Sequence, residues 1–212
     1  MRRAASQWGW LVPAVVTGSL VPLAVMAWRA AAGRLGANPI ATALNQLGLL
    51  ALVLLLASLA CTPLRLASGW TWPARVRRAL GLAAFGAACL HFLVYVALDQ
   101  GFDLTALIAD LVERPFILVG FVALVLLVPL ALTSTKRSIS ALGYLAWSRL
   151  HRIAYLVAVL GVVHFYMRVK QDTTLPIALG ALLVLLFAVR LLGAYQKRRI
   201  RRLRANADAS VP

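Results

Sequence analysis

Six stretches of this 212-residue chain each carry about twenty consecutive, mostly apolar residues, and few folds can accept such stretches. At 1.5 Å per residue, a helix of that length crosses a hydrocarbon core of roughly 30 Å, where every peptide group must be satisfied within its own helix. The stretches cover roughly 9–28, 40–62, 79–98, 115–133, 150–169 and 174–194. Charged residues make up only 13% of the chain and its mean hydropathy is +0.86, whereas about a quarter of an ordinary soluble domain is charged. The expected fold is an all-α integral membrane protein, a six-transmembrane helical bundle forming a single domain over 1–212, with a short basic tail at 195–212. The connections are short, and no internal repeat, low-complexity linker or glycine-rich phosphate loop interrupts them.

A net charge of +16 would suggest nucleic acid in a soluble protein, but here the basic residues alternate sides along the chain. Arg2 and Arg3 precede the first span, and Arg65, Arg75, Arg77 and Arg78 separate the second from the third. Lys136, Arg137, Arg149 and Arg152 surround the next loop on that side, and six more basic residues between Lys197 and Arg204 follow the last span. The opposite side has Arg29, Arg34, Arg114, Arg168 and Lys170, together with Asp99, Asp103, Asp110, Glu113 and Asp172. The positive-inside rule therefore predicts that both termini are cytoplasmic, with anionic lipid headgroups rather than nucleic acid as the partner of the basic tail. The amino-terminal segment mimics a secretory signal, but its apolar stretch is longer than a signal core and is expected to remain as the first helix. Cys61 and Cys89 form no CxxC pair and read as packing residues.

All three histidines, His91, His151 and His164, fall in or at the edge of an apolar stretch, where an ionisable side chain marks a functional site by default. Spans three and five both run outward. His91 lies thirteen residues beyond Arg78, and His164 lies twelve beyond Arg152, so the two are expected at matched depth in the outer half and are candidates to face one another. His151 begins span five near the inner boundary, at the level of Arg77 and Arg78. Thirteen residues of helix separate His151 from His164 by roughly 20 Å, too far for one metal ion but suited to two flat cofactors stacked along the membrane normal. In an ideal straight helix these two imidazoles point roughly 140° apart, so a change of winding or of side-chain torsion is needed to bring both inward. Imidazole on opposed helices is a recurrent haem ligand. A polar network for proton or ion transport is the rival reading, but no carboxylate lies in the middle of an apolar stretch, and Asp99 and Asp110 read as loop residues.

The segment "PLALTSTKRSISALGYLAWSRLHRIAYLVAVLGVVHFYMRV" (129–169) resembles the ferric reductase-like transmembrane family, through its LTST loop and the Trp147, Leu150, His151, Arg152 pattern. "CLHFLVYVALD" (89–99) is similar to the family's third span, and the likeness covers nearly the whole chain. The resemblance implies one or two b-type haems held by His91 and His164 as the outer pair and by His151 as an inner ligand. In related NADPH oxidases a fourth histidine precedes the outer one by about fourteen residues, and here that count lands on Arg77. A guanidinium keeps its charge and lacks an ordinary lone pair, so Arg77 is a poor iron ligand and a good partner for a haem propionate. The inner haem is left with one histidine and an unidentified sixth ligand, or with weak binding.

Within that family the chain resembles the membrane subunits of bacterial periplasmic methionine sulfoxide reductase systems. This likeness implies an electron-transfer subunit of the bacterial inner membrane that serves a periplasmic, molybdopterin-dependent methionine sulfoxide reductase subunit. Larger oxidases of the superfamily append a flavin and nicotinamide domain after the last span. Only eighteen residues follow span six here, so the expected donor is a separate molecule, either a cytoplasmic flavin reductase or quinol, with FMN as a further candidate cofactor. Two other functions fit the sequence: a stand-alone haem reductase of metal or oxygen, and a haem-free transporter or assembly factor whose histidines line a polar cavity.

Overall fold

The computed structural model of the chain describes residues 8–209. Arg2 and Arg3, expected to anchor the first span, lie outside the described residues. The described secondary structure is helical: α1 (Leu11–Ala31), α2 (Pro39–Ser68), α3 (Pro73–Val94), a π-helical turn (Tyr95–Asp99), α4 (Leu104–Glu113), α5 (Pro115–Leu132), α6 (Lys136–Leu142), α7 (Tyr144–Leu150), α8 (Ile153–Arg168) and α9 (Thr174–Ala209). Six segments are long and apolar enough to cross a membrane: α1, α2, α3 with its π-turn, α5, the α7–α8 pair and Thr174–Ile200 of α9. The protein is thus an all-helical, six-span membrane bundle.

Capping residues set several helix ends. Pro39 opens α2 beneath Asn38, whose side chain accepts a bond from the Ala41 amide at 3.0 Å, and Gly69 closes it at φ 72°. Asp103 caps α4 by accepting from the amides of Thr105 and Ala106 at 2.8 and 3.1 Å.

The structure differs from the sequence reading in three places. The basic tail continues α9 as far as Ala209, since Arg and Lys are good helix formers once the chain leaves the lipid. The connection between α3 and α5 contains α4, whose Leu107 and Leu111 face the bundle while Val112 is 79% exposed. The fifth span is broken at His151 and Arg152, where α7 ends and α8 begins.

The central helix is α2, packed most extensively on α3, and its Leu47, Leu56 and Leu59 are almost completely buried with Val157 and Ala158 of α8. Small residues set the helix spacing: Ala84, Ala87 and Ala158 are buried at crossings, and a Cβ on Gly193 would meet Leu66 at 3.0 Å. Lipid supplies no hydrophobic drive for helices to associate, so this close approach and interhelical hydrogen bonds hold the bundle. The outward leucines and valines, such as Val21, Leu93, Val184 and Leu191, are exposed as a lipid-facing surface.

One interhelical bond follows directly from a proline. Pro63 inside α2 lacks an N–H, which frees the Leu59 carbonyl one turn earlier. The Arg190 guanidinium of α9 donates to that carbonyl, and also to the Tyr155 hydroxyl of α8, while its charged carbon lies 5.0 Å from the Tyr155 ring centre. A backbone acceptor that would be costly to leave unmade in lipid thereby ties three helices together.

Candidate functional site

His91 of α3 and His164 of α8 meet inside the bundle, their ring centres 6.2 Å apart and their planes at 83°. His91 Nδ1 lies 2.9 Å from the carbonyl oxygen of Leu44 on α2, and His164 Nδ1 lies 2.6 Å from that of Phe116 on α5. A carbonyl oxygen can only accept, so each Nδ1 carries the proton and donates it, leaving each Nε2 with an unshared lone pair. Metal-ligating histidines are commonly held this way, with the second nitrogen bonded to a backbone carbonyl that fixes tautomer and ring orientation.

Two glycines make room for these rings. A Cβ on Gly48 of α2 would come within 3.2 Å of the His91 ring, and one on Gly120 of α5 within 2.7 Å of His164 Nδ1. Beside the pair lies a cavity of about 530 Å³ walled mainly by apolar residues, including Leu52, Phe92, Phe121 and Phe165. Its polar groups include Tyr95, Asp99, Arg114 and Arg168.

This donor set fits haem. Two metal–nitrogen bonds of about 2 Å and two ring radii of about 1.2 Å come to roughly 6.4 Å, so the observed ring spacing suits one iron with an imidazole on each side. A haem macrocycle would supply the iron's remaining ligands itself, so two imidazoles suffice.

His151 does not line this cavity. Its ring stacks on Trp147 with centres 4.1 Å apart, and its Nε2 lies 3.0 Å from Thr133 Oγ1. The Thr133 hydroxyl donates its single proton to the Pro129 carbonyl at 2.6 Å, so it accepts from His151 Nε2–H, which leaves the lone pair of His151 on Nδ1. Trp147 Nε1 donates to the Thr133 carbonyl at 3.0 Å. The LTST loop, Trp147 and His151 therefore form one hydrogen-bonded unit at the α7–α8 break. Arg77 lies near the N-terminus of α3, and its carbonyl accepts from Ser58 Oγ of α2 at 2.9 Å.

Three polar features escaped the sequence reading. Asp110 is no loop residue but sits on α4, 8% exposed, where it accepts from Tyr95 Oη at 2.8 Å and Gln100 Nε2 at 2.9 Å and pairs with Arg114 at 3.0 Å. Its signal was the Asp-x-x-x-Arg spacing on an amphipathic stretch. Arg168 lies one turn beyond His164 on the same helix and lines the same cavity. Arg190 was visible as a lone cation within the sixth apolar stretch.

The profile of the ferric reductase-like transmembrane component family matches residues 43–162, more than half of the chain. The chain belongs to this family. The matched region takes in His91 and His151 and ends two residues before His164. Among curated family relatives, the protein-methionine-sulfoxide reductase heme-binding subunit MsrQ of Deinococcus radiodurans is 48% identical, over 90% of this chain and 94% of its own length. The proteins of the same name from Rhodospirillum rubrum and Caulobacter vibrioides are 50% and 47% identical. Those alignments cover 88% and 80% of this chain, and 89% and 80% of the relatives. No solved structure gives a significant match.

Proposed function

We propose that this protein is the haem-binding membrane subunit of a methionine sulfoxide reductase system and carries electrons across a bacterial inner membrane. The observation that carries the reading is the His91–His164 pair, with both Nδ1 protons committed to backbone carbonyls and both Nε2 lone pairs available beside an apolar cavity. His91 and His164 would hold a b-type haem, and Arg168, which lines the same cavity, would pair with its propionates. When bound, the haem supplies a one-electron ferric/ferrous couple. The chain orients the ligands, and the leucine and phenylalanine walls keep water away and so tune the potential.

His151 and Arg77 form the inner edge of the path, as ligand and propionate partner of a second haem. Electrons come from a cytoplasmic flavin reductase or quinol, with FMN as a candidate cofactor, and leave to a periplasmic molybdopterin-dependent subunit that reduces oxidised methionine. In a membrane preparation, dithionite-reduced protein should be reoxidised by methionine sulfoxide only when that subunit is added. Reoxidation without it would instead favour a stand-alone metal or oxygen reductase, and a colourless purified protein would favour a haem-free transporter.

Both termini lie in the cytoplasm, because the basic loops and tail share one side. A phosphatase fused after Ala209, active only when exported, should be inactive; strong activity would reverse the orientation.

His151→Ala should slow electron entry at least tenfold while leaving the outer haem spectrum largely intact, since the two sites lie roughly 20 Å apart. Arg77→His should preserve or raise bis-histidine haem if position 77 can reach the iron. If Arg77→His loses inner haem while Arg77→Lys keeps it, the cation is the partner of a propionate and position 77 is not the ligand position.

A further inference from the structure

A second cavity of about 790 Å³ opens between α1, α2 and α3, on the side of α3 away from the histidine pair. Its walls include Val16 and Leu20 of α1 and Leu54 of α2, and they extend along α3 from Arg75 to Leu90. Fifteen helical residues measure about 22 Å, more than the roughly 15 Å of one leaflet's hydrocarbon. The groove therefore runs from headgroup level through one whole leaflet. It owes part of its depth to Gly86, where a Cβ would meet nothing within 4 Å.

Among the described residues that line it, charge is confined to one end, where Arg75 and Arg78, three residues apart and so on one face of α3, sit at its mouth with no acidic side chain among those lining residues. Both arginines lie near the N-terminus of α3, where the helix dipole adds partial positive charge and the first turn holds no acid. A long apolar slot with a cationic mouth at the membrane interface complements a two-part molecule with hydrocarbon behind and an anion in front.

We infer that this groove binds one anionic phospholipid from the leaflet on the basic side, with its acyl chain against α1, α2 and Gly86 and its phosphate on Arg75 and Arg78. Basic pockets between membrane helices on that side are suited to such headgroups. The site is independent of the haem reading, because it shares no lining residue with the histidine cavity.

The test is native mass spectrometry of the full chain, purified in a mild non-ionic detergent and offered phosphatidylglycerol or phosphatidylcholine. The wild type should retain one phosphatidylglycerol per chain in preference to phosphatidylcholine. Arg75→Gln and Arg78→Gln should each reduce that preference about fivefold. Gly86→Phe should fill the groove and displace lipid of either headgroup, whereas the Lys136→Gln/Arg137→Gln pair, on another basic loop, should change nothing. Retention of a neutral quinone in place of phospholipid would overturn the proposal. So would equal retention of the two phospholipids by the wild type, or equal loss in the Lys136/Arg137 control. Far-ultraviolet circular dichroism reports folding of each variant, and if Gly86→Phe fails to fold, the two arginine variants decide alone.

Discussion

His91→Ala and His164→Ala should each abolish the low-spin bis-imidazole signal of the outer haem, with haem bound at that site falling at least tenfold. Both rings are fixed to backbone carbonyls of neighbouring helices, at 2.9 and 2.6 Å, so neither helix carries a spare imidazole that could swing in. His151, the chain's one other histidine, is stacked on Trp147 and bonded to Thr133. Alanine is well tolerated in a helix, so the bundle should survive either change and the loss should read as loss of cofactor. Visible and electron paramagnetic resonance spectra of the purified variants make the measurement. Retention of the full low-spin signal by both would refute the ligand pair.

Gly120→Ala should produce nearly as large a loss of haem without touching a ligand. The added Cβ would sit 2.7 Å from His164 Nδ1, closer than such atoms approach, and would push the ring off the Phe116 carbonyl. In isolation this substitution favours helix by about 1 kcal/mol. Thermal stability of the apoprotein should therefore hold or rise while haem affinity falls at least tenfold, and a change that merely damaged the fold would lower both. Gly48→Ala, whose Cβ would lie 3.2 Å from His91, should have the same effect to a smaller degree. Normal haem content in Gly120→Ala would mean that the ring has room to move and that the glycine plays no part in positioning it.

The legible features of the sequence are those that depend on distance along one helix. Apolar stretches of bilayer length dictate spanning helices because lipid offers the backbone no other hydrogen-bond partner, and six of them appear. Nearly equal counts, thirteen residues from Arg78 to His91 and twelve from Arg152 to His164, set two imidazoles at similar depth because the rise per residue is constant, and the rings lie 6.2 Å apart. The same counting left the winding at His151 open, and the α7–α8 break decides it. It also took Asp110 for a loop residue, because one carboxylate among charged neighbours gives no hint of a tyrosine fifteen residues earlier.

By itself the sequence determined the membrane class, the number of spans and the matched positions of His91 and His164 along their helices, all of them consequences of composition and helical rise. Only the tertiary structure decided which carbonyls hold the imidazole protons, which glycines admit the rings, and that Arg190 reaches the carbonyl released by Pro63. Those are contacts between helices, 47 to 131 residues apart in sequence for the bonds named, and they depend on how each helix is rotated and packed. In lipid that rotation is set by close packing of small residues and by single polar bonds rather than by an apolar face seeking to leave water, so no periodicity in the sequence records it.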